Sequence, residues 1–399
     1  MCIRDSYTIF GGMKSVLYTS VLQTPILLLG SLIILVLGFK ELGGWDEMMR
    51  VCGAVTVNDY GDTMTNLIRS NDDANFPWLG ALIGSAIIGF WYWCTDQFIV
   101  QRVLSGKNEM EARRGTIFGA YLKLLPVFLF LIPGMIAFAL HQKYIGAGGE
   151  GFLPMLENGT ANADAAFPTL VAKLLPAGVK GLVVCGILAA LMSSLASLFN
   201  SSAMLFTIDF YKRFRPQTSE KKLVGIGQVA TVVIVILGIL WIPIMRSVGD
   251  VLYTYLQDVQ SVLAPGIAAA FLLGICWKRT SAQGGMWGLI SGMVIGLTRL
   301  GAKVYYSNAG EVADSTFKYL FYDMNWLFFC GWMFLFCIIV VIVVSLATEA
   351  PTAEKIQGLV FGTATKEQKA STRASWNHWD IIHTVIILAI TGAFYWYFW

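Results

Sequence analysis

Apolar residues in this chain gather in long runs, not in alternation with polar ones. Nine runs stand out, at 16–37, 78–100, 116–141, 179–206, 223–245, 251–277, 284–302, 326–346 and 381–399. Each is close to the roughly 20 residues that a helix needs to cross a bilayer core of about 30 Å. In lipid, every backbone polar group must be satisfied within the protein, so runs of this length predict helices. The expectation is an all-α polytopic membrane protein with about nine transmembrane helices.

Two of the runs carry polar interruptions. The second holds Trp91-Tyr92-Trp93-Cys94-Thr95-Asp96-Gln97 after Gly80, Gly84 and Gly89. The sixth holds Tyr253, Tyr255, Gln257, Asp258, Gln260 and Ser261, then Ala264-Pro265-Gly266. A carboxylate at membrane depth is costly unless it faces a partner or a water-filled cavity. Glycine and proline free backbone groups from the helical ladder, and such breaks near the midplane often build solute and ion sites. Both spans are therefore expected to be discontinuous, although a simple packing kink reads the same way in sequence.

Composition agrees with the pattern. Hydrophobic residues make up 56% of the 399 and charged residues only 13%, against about 25% charged in soluble domains. Mean hydropathy is +0.65. A net charge of +3 gives no reason to expect nucleic acid. The seven cysteines include no C-x-x-C pair, which argues against redox or metal chemistry. Cys94, Cys185, Cys276, Cys330 and Cys337 read as buried small hydrophobes, and Cys52 as a lone thiol in a polar loop.

Loop charges suggest an orientation. Basic residues collect around 102–114, 212–222, 278–279 and 355–373, whereas the 41–73 segment is acidic. The positive-inside rule then places the N-terminus in the cytoplasm and the C-terminus outside a plasma membrane.

Other features carry less. Ser193, Ser197, Asn200 and Ser201 share one helical stripe in the fourth run; it suits either a hard cation or close helix packing. Lys123 near the start of the third run suits snorkelling toward the membrane surface. Gly146–Gly151 spells G-x-G-x-x-G, yet a dinucleotide site needs it between a strand and a helix. Asn158-Gly159-Thr160 is a glycosylation sequon. His141, His378 and His383 form no ligand cluster, and no nucleophile elbow or H-E-x-x-H motif is present, so an enzyme is not expected.

Several of these stretches resemble the solute:sodium symporter family, in particular sodium–glucose cotransporters. WYWCTDQFIVQR at 91–102 is similar to that family's discontinuous helix, LAALMSSLASLFNS at 188–201 to its sodium-site helix, and YLKLLP, YLQ and PGIAA to its solute-binding segments. The resemblance runs from Tyr7 to about Lys303 and implies a LeuT-type inverted-repeat transporter fold, partial in this chain. Residues 7–40 would be the last helix of the first repeat, 41–77 an extracellular loop, 78–277 the second repeat of five helices, and 278–399 three trailing helices. Met1–Ser6 reads as cloning or adapter sequence ahead of an N-terminally truncated fragment.

By the same resemblance, sodium would be bound by the hydroxyls of Ser193 and Ser194 and the carbonyl of Ala190. Sugar would meet Tyr92, Trp93, Lys123 and Gln257, with Gly89 standing where relatives carry a polar residue. The missing part would bring the other half of the sodium site and an acidic sugar ligand. A second sodium site would need a carboxylate where this chain has Ser20 and a threonine where it has Ala196, so one sodium per sugar is expected. The implied function is sodium-coupled symport of a sugar such as glucose or galactose. The alternatives are an inositol or other polyol carried by the same family, or a membrane sensor or channel-like protein.

Overall fold

The structure is a computed structural model that describes residues 21, 24–156, 159–248, 252–308 and 313–398. Residues 1–6, Ser20 and Asn158 lie outside the described residues, as do the side chains of Ser193 and Ala196. The long elements are all helices: α1 (Thr24–Leu42), α2 (Trp45–Gly53), α3 (Trp78–Cys94), α4 (Gln97–Leu104), α5 (Glu109–Pro126), α6 (Ile132–Gly146), α7 (Ala166–Leu174), α8 (Ala177–Met204), α9 (Glu220–Val248), α10 (Leu252–Cys276), α11 (Ala282–Asn308), α12 (Trp326–Ala347), α13 (Lys366–Ala374) and α14 (His378–Tyr397). Among the described residues, extended pairing is limited to isolated bridges such as Thr56–Thr63.

Among the described residues, seven helices are long and apolar enough to cross a membrane, or eight with the bent pair α3–α4. The remaining expected span, 284–302, does form a helix, α11, but glycines, Arg299 and Lys303 dilute its apolar character. The chain is thus an all-helical polytopic membrane protein. Two helices continue through a π turn: α5 passes into α6 by Val127–Leu131, just after Pro126, and α8 leads into Leu205–Tyr211. A proline removes one backbone donor, and a π turn is one way for the helix to continue past the defect.

Two compact units divide the chain. The first holds most of residues up to 57 together with 122–244. Its core is built from Ile34 of α1, Met48 and Cys52 of α2, Ile132, Ile136 and Leu140 of α6, Leu170 of α7 and Val183 of α8. Cys52 is therefore not a loop thiol: it sits on α2, fully buried, and burial pushes it up to about 11. The glycine-rich 146–151 stretch follows α6 rather than a strand, so it makes no dinucleotide site. The chain after it folds back, where Leu153 N–H donates to buried His141 Nδ1 at 3.0 Å.

The second unit holds most of 66–121 and everything from 245 onward. Ala264 and Ala268 of α10 pack with Ile87 and Ile88 of α3 and with Leu327 and Cys330 of α12. Val262 and Ala269 pack with Phe329, Met333 and Cys337. Small residues let these backbones approach closely, the main route to helix association where lipid is as apolar as leucine. Arg113 reaches Ser375 at 3.1 Å, and Leu67 N–H donates to the Phe398 carbonyl at 2.9 Å. The start of α5 and the start of α14 therefore share one side, and the 66–77 loop shares the other with the end of α14.

Candidate functional site

The expected break in the second span is present. α3 ends at Cys94, α4 starts at Gln97, and their axes bend by 48°. Local chemistry explains the position. Thr95 Oγ1 donates to the Trp91 carbonyl at 2.7 Å, covering one of the acceptors a helix end leaves open. Asp96 is the N-cap of α4, its carboxylate accepting from Phe98 N–H at 3.0 Å. A carboxylate at a helix N-terminus is favoured by the cap bond and by the dipole. The charge that looked costly in sequence thus has a local partner. Around it, the Tyr92 and Trp93 rings meet edge to face at 5.3 Å, with Trp93 exposed and Tyr92 half-buried.

The expected break in the sixth span is absent. α10 runs unbroken from Leu252 to Cys276 with Pro265 inside it. Close packing holds the helix together at this point: Ala264, Pro265 and Gly266 are buried, and a Cβ on Gly266 would lie 3.2 Å from the Gly292 Cα of α11. Gln257, one turn below the start of α10, donates from Nε2 to the Tyr253 hydroxyl at 2.9 Å.

A charged cluster that the sequence reading did not assemble lies beside Gln257. Asp258 is buried and meets Lys303 Nζ at 2.6 Å and Arg299 Nη2 at 3.5 Å. Arg299 is fully buried. It also donates to the Met324 carbonyl at 2.7 Å and to the Leu320 carbonyl at 3.3 Å, and lies 4.0 Å over the Phe329 ring. The available signal was one carboxylate in one run followed by two cations four residues apart in the next.

The serine helix lies in the other unit. Along α8, Ser197 and Ser201 are buried, and the Ser201 hydroxyl donates to the Ser197 carbonyl at 2.8 Å. Ser194 is exposed and Ala190 half-buried. Of the expected solute residues, Tyr92, Trp93 and Gln257 belong to the second unit, where α3 packs against α10, whereas Lys123 belongs to the first. Lys123 is exposed on α5. Cys94, Cys185 and Cys276 are exposed rather than buried, while Cys52, Cys330 and Cys337 are buried.

Outside the spans, the 58–77 loop is ordered by shared carboxylates. Asn58 Nδ2 bridges Asp62 Oδ2 at 2.8 Å and Asp73 Oδ2 at 3.2 Å. Burial raises the Asp73 carboxyl, but the Phe76 and Asn75 N–H groups, the Asn58 amide and Arg69 outweigh it and leave it below the usual range.

Comparison with known proteins identifies the family. The family model described as Sodium:solute symporter family matches residues 2–292. The chain belongs to the sodium:solute symporter family. Curated relatives of this chain include the sodium/mannose cotransporter SLC5A10 of Bos taurus, 35% identical over all of this chain and 70% of that protein. Sodium/myo-inositol cotransporter 2 of Homo sapiens is 36% identical, covering 91% of this chain and 55% of its own. Sodium/glucose cotransporter 1 of Ovis aries is 38% identical, covering 88% of this chain and 55% of its own. The chain thus spans little more than half the length of the human and sheep symporters.

Proposed function

We propose that this chain is part of a symporter that couples inward movement of sodium to uptake of a sugar or polyol by alternating access across the plasma membrane. The observation that carries the reading is the capped break after Trp91-Tyr92-Trp93 within a chain of this family. Aromatic faces with a few aimed polar groups are what orient a small solute in a pocket. Tyr92 and Trp93 supply the faces, and Gln257 and Lys123 the polar contacts. Ser193, Ser194 and the Ala190 carbonyl supply hard oxygen ligands for sodium. In this reading α1 closes a first inverted repeat, α3 to α10 form the second, and the N-terminal side is cytoplasmic.

The relatives support mannose, myo-inositol and glucose about equally. Gly89, with open space around it, offers no side-chain hydrogen bond to the solute, which favours a ligand bound partly through water. One sodium per solute is our further reading. An ion crossing 100 mV contributes about 2.3 kcal/mol, and a tenfold gradient adds about 1.4 kcal/mol. Together these sustain a solute gradient of about several hundredfold.

The experiment is uptake of radiolabelled glucose, mannose and myo-inositol by the intact protein in proteoliposomes, with and without sodium. Ser193→Ala together with Ser194→Ala is expected to raise half-saturating sodium, because two oxygen ligands are removed. Trp93→Ala is expected to weaken the solute and leave sodium dependence in place. Uptake indifferent to sodium would defeat the reading.

A further inference from the structure

α10 and α11 are closed like a zip over three successive turns. At the lowest, Gly266 and Gly292 touch backbone to backbone, and a Cβ on Gly292 would sit 2.9 Å from the Gly266 Cα. One turn on, a Cβ on Gly296 would sit 2.5 Å from the Val262 carbonyl oxygen. At the third, the contact is ionic: Asp258 with Lys303 at 2.6 Å and Arg299 at 3.5 Å. The two lower contacts fix the body of α10. The turns beyond Ser261 are tied to it more weakly. Pro265 has no N–H to give to the Ser261 carbonyl, so the helical ladder loses one bond there; separately, the Ser261 hydroxyl donates to the Asp258 carbonyl at 2.6 Å. Leu252, Tyr253 and Leu256 on these turns are exposed. Asp258 carries the ionic contact between this end and α11.

Gln257 precedes Asp258 directly, so in a helix its direction is set about 100° around the axis from the anchored carboxylate. Arg299 is itself held by two carbonyls and the Phe329 ring. A fixed cation on one helix therefore determines the rotation of the other. We propose that Asp258 is a positioning residue for the transported solute: docked on Lys303 and Arg299, it sets the rotation of the outer turns of α10 and so aims Gln257. The proposal rests on the reading of Gln257 as a solute contact.

The test is uptake of radiolabelled glucose, mannose and myo-inositol by the intact protein in proteoliposomes, following whichever is transported. Asp258→Asn is expected to raise the half-saturating solute concentration about fivefold to tenfold, the effect of one misaimed hydrogen bond. Half-saturating sodium and the maximal rate per inserted molecule should stay within about twofold, because α8 is not touched. Asp258→Glu keeps the charge and should restore most of the affinity. On a Gln257→Ala background, Asp258→Asn should add less than about twofold, since both act through one contact. If Asp258→Asn does not accumulate in the membrane, Lys303→Gln loosens the same anchor from α11, with the same expectation. Additive effects of Gln257→Ala and Asp258→Asn, or equal shifts in sodium and solute, would overturn the proposal. A silent Gln257→Ala would instead remove the assignment of Gln257 beneath it. A normal Gln257→Ala phenotype beside a silent Asp258→Asn would defeat the positioning role alone.

Discussion

α9 and α10 are helices of similar length that stand in their units in opposite ways. α9 is almost wholly aliphatic between Val229 and Ile242, yet only 11% of its apolar window is buried. α10 carries Asp258, Gln257, Gln260 and Ser261, yet 39% of its window is buried. The more apolar helix packs less. In water this would be paradoxical, but among lipid tails apolar side chains gain little by meeting one another. What draws α10, α11 and α12 together is close backbone approach at glycine, as at Gly266 and Gly292, and the satisfaction of buried charge. α9 instead flanks a groove of about 620 Å³ lined by Phe206, Lys222, Ile226, Val229 and Val233, among others.

The sharpest way to break this comparison is one substitution made twice. Gly292→Ala places a methyl against the Gly266 backbone, which cannot yield like a side chain. We expect a loss of about 1–3 kcal/mol, the range for overpacking a tight contact. Gly238→Ala on α9 meets open space and should change stability by no more than about 0.5 kcal/mol. Thermal unfolding in detergent reads both. Equal shifts would mean that the glycine contacts do not hold the bundle.

The smallest effect is expected in the loop. Asp73 has a depressed carboxyl, so the folded loop binds its proton less readily than the unfolded chain. Its contribution is fully present above the ordinary aspartate value of 3.8 and is lost as pH falls through the lower folded value. Protease resistance of the 58–77 segment should be flat from neutral pH down to about 4 and decline below it. Asp73→Asn should flatten the acid limb. An acid limb that Asp73→Asn leaves unchanged would assign the titration to another group.

Much of this was legible in the residues. The broken span could be read because its cause is local: Thr95 and Asp96 each find a partner within four residues. The reading of α10 failed at the same kind of motif. Pro265-Gly266 looks like a break, but Gly292, on another helix, supplies the contact that keeps the helix continuous, and sequence spacing carries no trace of it. Asp258, Arg299 and Lys303 were each visible singly, and only the α10–α11 packing joins them. The thiols were misread for a related reason. An apolar span tells that a residue lies at membrane depth, not whether it is exposed, as Cys185 is, or buried, as Cys330 is.

The pairing of Asp258 with Arg299 and Lys303 also constrains how the chain is made. A newly synthesised helix that enters the bilayer by itself must carry its charges unshielded, at about 2.5–3.5 kcal/mol for each Arg or Lys near its centre. Among the described residues, α11 holds Arg299 past its midpoint and Lys303 nearer its end, and it is less apolar than its neighbours α10 and α12. Its counter-ion lies on α10, only the short 277–281 connection away. α10 and α11 should therefore leave the translocation channel as a hairpin, with the aspartate arriving first and waiting for its cations. In an insertion assay, α11 alone should partition poorly, and α10 carrying Asp258→Ala should fail to rescue it.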